Sequence, residues 1–284
     1  MMAMHKVTSE IHTESNDPTV ESRENHVTRT FSFVYPPYVS GIKNHSVQYD
    51  DDGDLIVNRP KKGNITIEYS VSTELQLVGL QIWRGALVLA DYILSHPRLF
   101  EKITILELGS GVGLTSIVAS SLAKEIICTD VNVGGILKLI EENFKRNKQL
   151  VRSKYTIMEL NFLDLSWPSN LRDKLKDVSV ILAADVIYDD EVTDGFVKTL
   201  AQLFDEDPSR TAYVALEKRY VFTIANLESV APMYEEFLRC IARRGLDWTI
   251  EHVEIDFPQY FTYDRVEQMI LMRIRSKKYS TEKL

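Results

Sequence analysis

The chain has 284 residues, of which 44% are hydrophobic, so it can bury a core as one large domain or as one domain with an appendage. Its net charge of −8 argues against broad, nonspecific binding to nucleic acid phosphates. Two isolated cysteines, Cys128 and Cys240, give no disulfide framework and indicate a reducing compartment, and the six scattered histidines give no metal-ligand spacing. The first thirty residues lack the apolar core of a secretory signal, and we expect no apolar run that approaches membrane-spanning length. We expect an intracellular, soluble protein of the nucleus or cytoplasm, with no metal and no membrane contact.

The N-terminal part of the chain divides into two predicted regions. Residues 1–28 are rich in Ser, Thr, Glu and Asn, which predicts a disordered tail whose removal leaves stability unchanged. Over residues 29–75, short apolar stretches are separated by Pro-Pro, Asp-rich and Lys-rich turns. This punctuation predicts a small N-terminal β appendage. Its predicted strands are FSFVY, DLIVN and ITIEYSV.

Residues 76–284 form the predicted main domain. The stretch GLQIWRGALVLADYILSH, starting at Gly79, has apolar residues three and four apart and predicts an amphipathic helix. The strands that follow are predicted as KITILEL, EIICTD, YTIMEL, VSVILAAD and TAYVALE, with the helices LTSIVASSLA, GGILKLIEENFKRN, TDGFVKTLAQLF and TIANLESVAPMYEEFLRCIARRG. This alternation predicts a parallel sheet with helices on both faces. After Gly245, which is placed to end a helix, WTIEHVEI and QMILMRIRS predict a closing antiparallel hairpin.

Three glycines, Gly109, Gly111 and Gly113, follow the first of these strands. Ligands of open α/β sheets bind beyond the carboxyl ends of the strands, and glycine lets the backbone approach them closely. A tight turn without a ligand is the alternative. The spacing G-x-G-x-G differs from that of pyrophosphate-binding turns. The preceding Glu107 would repel a pyrophosphate but suits a ligand that carries an ammonium group.

The second strand ends in Asp130. An acidic residue at this place in a nucleoside-binding sheet accepts hydrogen bonds from the ribose hydroxyls. The alternative is that Asp130 caps the N-terminus of the helix that follows. With Glu107, the pattern indicates a ligand that has an amino-acid end and a nucleoside end but no diphosphate. S-adenosylmethionine fits this description.

The motif Glu-x-Gly-x-Gly-x-Gly, the acid that ends strand two and the terminal hairpin together resemble the seven-β-strand, S-adenosylmethionine-dependent methyltransferases. QIWRGALVLADYIL and the Asp-x-x-Tyr pattern in AADVIYDD narrow the resemblance to the protein-lysine methyltransferases of this fold. It covers roughly residues 70–275. It implies an α/β, Rossmann-like seven-stranded sheet with helices on both faces and a terminal antiparallel hairpin.

The resemblance also implies a cofactor site. The residues it assigns there are Trp83, Glu107, Gly109, Ser110, Gly111, Asp130, Asn161, Phe162 and Ala184. Glu107 and the two glycines would line the methionine and ribose part, Asp130 would hold the ribose hydroxyls, and Trp83 would close over the same end. Without the resemblance, Trp83 is better read as an aromatic of the core.

The chain departs from the family pattern after strand three. Where this subgroup shows Leu-Asp-Trp, whose acid and aromatic meet the adenine, the sequence reads MELNFLDLSW. We align Asn161 and Phe162 with that pair. A loop shift that gives these roles to Asp164 or Trp167 stays open, as does an ordinary capped turn.

Methyl transfer requires a nucleophile aligned behind a sulfonium methyl group, with water excluded. The resemblance places Asp185 and Tyr188 beside that position as catalytic residues, the first to orient the incoming amine and the second to wall its channel. A helix cap and a half-buried aromatic are the alternatives. The triplet Glu217, Lys218 and Arg219 on the same rim would bind substrate, or be a solvated charge run. The aromatic loop DFPQYFTYDRV either flanks the cleft or packs the hairpin.

We therefore predict a protein-lysine N-methyltransferase that converts S-adenosylmethionine to S-adenosylhomocysteine. Its partner would be a protein that is basic around the target lysine, and it would act as a monomer without binding nucleic acid directly. The alternatives are methylation of protein histidine, RNA or a small molecule, and a non-catalytic cofactor-binding scaffold. The Asp-Val-Ile-Tyr stretch after strand four differs from the Asn-Pro-Pro-Tyr type of motif, which argues against RNA.

Overall fold

The computed structural model describes residues 6–13, 20–23, 25–36, 52, 61–223 and 228–278. In chain order the strands are β1 (Lys6–Val7), β2 (Val20–Arg23), β3 (His26–Val34), β4 (Lys62–Ser70), β5 (Thr73–Glu74), β6 (Thr104–Leu108), β7 (Glu125–Asp130), β8 (Lys154–Glu159), β9 (Val178–Ala184), β10 (Thr211–Glu217), β11 (Val221–Thr223), β12 (Glu228–Val230), β13 (Trp248–Val253) and β14 (Met269–Ser276). The α-helices are α1 (Glu10–Thr13), α2 (Arg84–Ser95), α3 (Leu114–Ala119), α4 (Ile136–Arg146), α5 (Ser169–Leu175), α6 (Asp190–Glu206) and α7 (Pro232–Arg243), and 3₁₀ helices span Leu75–Leu80 and Pro97–Leu99.

A seven-stranded sheet in the order β13-β14-β10-β9-β6-β7-β8 forms the centre of the fold. Neighbouring strands from β10 to β8 run parallel, whereas β14 runs antiparallel to both β10 and β13. The predicted α/β sheet with a terminal antiparallel hairpin is therefore confirmed. After β6 the chain continues to β7 and β8 on one side of this strand and then returns to β9 on its other side, so the strand order reverses beside β6. The carboxyl ends of β6, β7 and β9 meet at this switch point.

The central strands are buried on both faces, which explains their continuous apolar sequences. All five residues of β6 are buried. Ile105 belongs to the hydrophobic cluster on one face of the sheet, and the adjacent Leu106 belongs to the cluster on the other face. This alternation follows from the two-residue period of a strand. The sheet is thus covered by helices on both sides.

The helix predicted from Gly79 begins later than expected. A 3₁₀ helix ends at Leu80, Trp83 is extended with φ −118° and ψ 155°, and α2 starts at Arg84. The Gly79 stretch is therefore irregular backbone that crosses the carboxyl edge of the sheet. By length and composition Leu75–Ser95 could cross a membrane, but 78% of its most apolar window is buried. The expectation that no apolar run reaches this length was wrong, and the stretch packs in the core as a 3₁₀ helix, an extended segment at Trp83 and α2.

Two other element boundaries differ from expectation. The long helix predicted over TIANLESVAPMYEEFLRCIARRG is confined to α7, which begins at Pro232 after the hairpin of β11 and β12. Proline favours a first helical turn because its missing N–H needs no partner there. Helix α5 was not predicted, and the predicted strand DLIVN lies outside the described residues. Gly245, with φ 60°, follows α7 as predicted.

Residues 6–13 contradict the prediction of a disordered tail over residues 1–28. β1 pairs with β5, and Ile11 is only 2% exposed within the hydrophobic cluster that it shares with α2. Arg29 donates a hydrogen bond of 3.0 Å to the carbonyl of Ile11. The composition of the segment did not predict this order, because a short polar segment can be ordered by docking onto a hydrophobic core that the rest of the chain forms.

The β appendage also differs from the predicted bounds, since β2 and β3 begin before residue 29. Its sheet, β2-β3-β4, packs directly on the main domain. Asn143 of α4 and Asn147, which directly follows this helix, each exchange two hydrogen bonds with the backbone of β4, at Glu68 and Thr66 respectively. These amides satisfy the polar groups of an edge strand that a helix covers.

Truncating Ile11 to alanine should lower the free energy of unfolding by about 2–4 kcal/mol, since it removes a fully buried aliphatic side chain and leaves a cavity. Chemical denaturation of the full chain measures this. Thr13→Ala, at an exposed position of the same segment, serves as the control and should change stability by less than about 0.5 kcal/mol. Equal stability of the Ile11→Ala variant and the wild type would show that the segment does not pack in solution.

Candidate active site

Two adjoining cavities open at the carboxyl edge of the sheet. The first has a volume of about 370 Å³ and lies over the glycine turn, and the second has a volume of about 190 Å³. They share the four lining residues Val78, Trp83, Asp185 and Tyr188. The first cavity is within the size range of small-molecule sites. Every residue that the sequence analysis placed in the site lines one of these two cavities.

The glycine turn after β6 forms the floor of the first cavity. Gly109 and Gly111 have φ of 65° and 56°, in the left-handed region that strains other residues. A Cβ on Gly109 would lie 2.7 Å from Cγ1 of Val186, and one on Gly111 would lie 3.0 Å from the carbonyl oxygen of Gly79. The bare backbone thus makes room for the chain that crosses above the cavity as well as for a ligand.

Glu107 lies under this turn and is 1% exposed. Burial raises the pKa of its carboxyl group to about 8, although hydrogen bonds from Ser116 and Thr115 oppose this. The group is therefore mostly protonated at neutral pH in the ligand-free protein. An ammonium group in the cavity would favour the ionised form, which agrees with the predicted preference for an amino-acid end.

Asp130, at the end of β7, accepts hydrogen bonds from the backbone N–H groups of Gly111 at 2.7 Å and Val131 at 2.8 Å. It does not cap the next helix, because α4 begins at Ile136 after Gly135. Burial raises the pKa of Asp130 to about 6, so its carboxylate is ionised at neutral pH. Each oxygen keeps a lone pair that can accept from a ligand hydroxyl.

The adenine side is formed by the residues that we aligned with the family pattern. Asn161 and Phe162 line the first cavity, and the neighbouring Ser110 and Ala184 do so as well. The proposed alternatives are placed elsewhere, since Asp164 is exposed and outside both cavities and Trp167 is buried in the core beneath. The geometry therefore favours the Asn161 and Phe162 alignment, while their contacts with adenine stay a prediction.

Trp83 stands between the two cavities instead of packing in the core. Its Nε1 donates a hydrogen bond of 3.0 Å to the carbonyl of Val78, which fixes the ring. Sequence reasoning missed the roof of the first cavity, which the irregular stretch before α2 supplies at Gln76, Leu77, Val78, Gly79, Leu80, Gln81 and Ile82. A glycine inside an apparent helix, Gly79, was the available signal.

Asp185 follows β9 and lines both cavities. Its Oδ2 accepts from the N–H of Gly85 at 2.6 Å, and its Oδ1 accepts from the N–H of Glu217 at 3.2 Å. The side chain thus caps helix α2, which is distant in sequence, and the backbone is held at φ 53°. Burial raises its pKa to about 6. The hydrogen bond from Gly85 makes Asp185 a helix cap, as the alternative stated, but the side chain also lines both cavities.

Tyr188 lines both cavities and is 39% exposed. Burial, together with the negative charge of Asp130, raises the pKa of its phenol to about 12. The group therefore stays protonated at physiological pH. It can donate a hydrogen bond or wall a channel, but it cannot act as a base there.

The triplet Glu217, Lys218 and Arg219, which begins with the last residue of β10, lines the second cavity, and only Arg219 of the three is exposed. Glu217 forms a 2.7 Å ion pair with Arg84, whose side chain is 7% exposed. Lys218 lies 4.1 Å above the ring centre of Tyr234, and Arg219 lies 4.9 Å above that of Trp83. These cations shape the walls of the cavity through cation–π contacts.

The aromatic loop between β13 and β14 packs the hairpin and does not line either cavity. Phe261 stacks on Phe33 of the appendage with ring centres 5.0 Å apart, and Phe257 packs against Tyr92 of α2. The choice that the sequence left open is thereby settled in favour of packing.

The side chains that line the first cavity fit a nucleoside that carries an amino-acid end. Asp130 offers acceptors for the ribose, Phe162 offers a ring face, and Glu107 can balance an ammonium group. The second cavity adjoins at Asp185 and Tyr188, where a second reactant can meet the first. Fold and site together define a transferase that uses a nucleoside cofactor.

Comparison with known proteins gives the family. Residues 61–232 match the family described as lysine methyltransferase. The chain belongs to this family, whose name and fold imply S-adenosylmethionine as the methyl donor.

The chain is also similar to curated relatives. It is 34% identical to methyltransferase-like protein 22 of Homo sapiens over 82% of this chain and 63% of that protein. It is 27% identical to protein-lysine N-methyltransferase EEF2KMT of Homo sapiens over 70% of this chain and 61% of that one. A putative uncharacterized protein of Dictyostelium discoideum is 25% identical over 92% of this chain and 78% of its own length. The chain thus spans less than two thirds of the two named relatives.

Proposed function

We propose that this protein transfers a methyl group from S-adenosylmethionine to a lysine side chain of a protein substrate, releasing S-adenosylhomocysteine. The observation that carries the proposal is the pair of adjoining cavities, one suited to the cofactor and one to an acceptor side chain, in a chain of the lysine methyltransferase family. Relatives whose names state protein-lysine methylation support a protein as substrate.

The bound cofactor would supply an electrophilic methyl group on a sulfonium. The protein's own task is to place a neutral amine in line with it and to exclude water. The apolar and aromatic walls of the second cavity favour the neutral form of a lysine, whose ordinary pKa is about 10.4. Asp185 can orient the amine with its free lone pairs, while Tyr188 and Trp83 restrict the passage between the cavities.

The substrate is proposed to be basic around its target lysine. The support for this preference is the net charge of the chain, which is −8. The same charge supports the proposals that the protein acts as a monomer and does not bind nucleic acid directly. Two free cysteines, both buried, support a location in the reducing compartments of the cell, nucleus or cytoplasm.

Incubating the protein with labelled S-adenosylmethionine and an extract of cells that lack it tests the function. The labelled product should be a protein whose acid hydrolysate contains methyl-lysine, and mass spectrometry should place the lysine in a basic stretch. Label in RNA, in a metabolite or on histidine would contradict the lysine assignment. An acidic stretch around the methylated lysine would contradict only the proposed charge preference.

The cofactor site is tested by Asp130→Ala, which should weaken S-adenosylmethionine binding by about 2 kcal/mol or more, because charge-assisted hydrogen bonds contribute roughly 1.5–3 kcal/mol each. Glu159→Ala is the matched control, since Glu159 pairs with Asp130 in register at the end of β8 but does not line the cavity. Affinity in the wild type should also fall as the pH drops below about 6, where Asp130 becomes protonated. Calorimetric titration that shows unchanged affinity for Asp130→Ala would refute the assignment.

A further inference from the structure

The second cavity has a wall that the family match does not include. Val7 of β1 lines this cavity, whereas the match begins at residue 61. The same cavity is lined by Met233 and Tyr234 of α7. The segment Lys6–Thr13, here called the N-terminal segment, therefore contributes to the second cavity through Val7, from outside the matched residues.

The buried side chain of Gln81 connects the N-terminal segment to the lining of the first cavity. The side chain of Gln81 accepts from the N–H of Ser9 at 2.7 Å and donates to the carbonyl of Val7 at 3.0 Å and to Oγ1 of Thr73 at 2.7 Å. Ser9 in turn donates a hydrogen bond to the carbonyl of Ile82. Since Gln81 and Ile82 also line the first cavity, these hydrogen bonds connect the walls of the two cavities in one shared partition.

The outer end of the segment is joined to the rim of the site. Glu10 forms an ion pair of 3.4 Å with Arg219, and Arg219 lies over the ring of Trp83. Ile11 anchors the segment in the core. Val7 is thus held by Gln81, and the residues that follow it are held by Glu10 and Ile11.

We propose that Val7 of the N-terminal segment forms part of the acceptor site, limits the width of the cavity and thereby selects the amine that enters. The inference rests on the proposed function, because it takes the second cavity as the place of the acceptor lysine. An unbranched aminoalkyl chain fits a cavity of about 190 Å³ whose lining combines apolar and aromatic side chains with the charged Asp185, Glu217, Lys218 and Arg219, and we expect a branched or cyclic amine to meet the Val7 side chain.

The test uses Val7→Trp, which fills the cavity, and Lys6→Trp as the matched control. Lys6 is the adjacent residue of the same strand, is exposed and does not line the cavity. Two readouts are taken with the full chain. One is methyl transfer from labelled S-adenosylmethionine to proteins of a cell extract, and the other is binding of n-butylamine, which copies the lysine side chain, by saturation-transfer NMR in the presence of S-adenosylhomocysteine.

We expect Val7→Trp to lower both readouts at least tenfold while S-adenosylhomocysteine affinity stays within twofold, and Lys6→Trp to match the wild type. Val7→Ala should raise binding of cyclohexylmethylamine relative to n-butylamine at least threefold, which a merely structural role of Val7 would not do. Unchanged transfer and n-butylamine binding in Val7→Trp would overturn the inference, as would an unchanged amine preference in Val7→Ala.

These outcomes separate the inference from the function on which it rests. If the wild type binds n-butylamine in a Val7-dependent way but labels no protein, the proposed function fails and the assignment of the wall is supported. If Val7→Trp also loses S-adenosylhomocysteine, the substitution has disturbed the shared partition, and the amine preference of Val7→Ala then decides the question.

Discussion

Asp185→Asn should lower methyl transfer by a factor of roughly 10² or more while S-adenosylmethionine affinity changes less than threefold. Loss of a group that positions the nucleophile has an effect of this size. Asn is the variant of choice because it tolerates the left-handed backbone at φ 53° better than alanine does. Its single acceptor oxygen can serve only one of the two N–H groups that Asp185 now satisfies, those of Gly85 and Glu217. Initial rates and calorimetric titration measure the two quantities.

Asp189→Asn is the control for this substitution. Asp189 caps the neighbouring helix α6 by accepting from Glu191 and Val192, but it does not line either cavity. It should keep its transfer rate and change stability by less than about 0.5 kcal/mol, because Asn caps a helix about as well as Asp does. Equal losses of binding and transfer in Asp185→Asn would mean that Asp185 serves only as a cap for α2.

The pH dependence of methyl transfer provides a second test of the role of Asp185. Burial raises the pKa of Asp185 to about 6, so its carboxylate is lost as the pH falls through this value. Transfer by the wild type should therefore decrease more steeply below about pH 6 than transfer by Asp185→Asn, once both are measured with saturating cofactor. Parallel profiles would show that the ionised carboxylate has no part in transfer.

Asp91→Ala should lower the free energy of unfolding by about 3–5 kcal/mol, because it leaves a buried cation without its partner. Asp91 of α2 is 0% exposed and pairs with Arg265 at 2.7 Å. It also accepts from the N–H groups of Tyr260 and Phe261 and from the hydroxyl of Tyr263. This one carboxylate holds the whole aromatic loop against the domain.

The melting temperature measures this loss and should fall by roughly 10 °C for a domain of this size. Asp247→Ala is the control, since Asp247 pairs with Lys277 at 2.6 Å on the surface, where both side chains are more than half exposed. An exposed pair contributes at most about 1 kcal/mol. Because the aromatic loop does not line the cavities, transfer per folded molecule should stay unchanged at low temperature. An Asp91→Ala variant as stable as Asp247→Ala would show that water replaces the buried network.

The sequence by itself determined the sheet and the cofactor side of the site. Strands such as β6 and β9 are nearly continuous apolar runs, because both of their faces are covered. Parallel strands bring their carboxyl ends to one edge, so residues at or just beyond those ends, such as Asp130 and Asp185, were placed at the site without any knowledge of side-chain contacts. The local sequence pattern is sufficient to predict these positions, because the position of a residue at the end of a strand depends only on that strand.

Only the tertiary structure decided the parts that depend on partners far apart in the chain. Ser9 meets Gln81 across 72 residues, Asp185 caps Gly85 across 100, and Asp91 pairs with Arg265 across 174. The segment around Val7 has no apolar periodicity of its own, so its composition predicted disorder, and the helix predicted at Gly79 was replaced by backbone that roofs the cavity. In the three hydrogen-bonded pairs, each polar group is ordered by a partner from a distant part of the chain, and the local sequence around either residue does not indicate that partner.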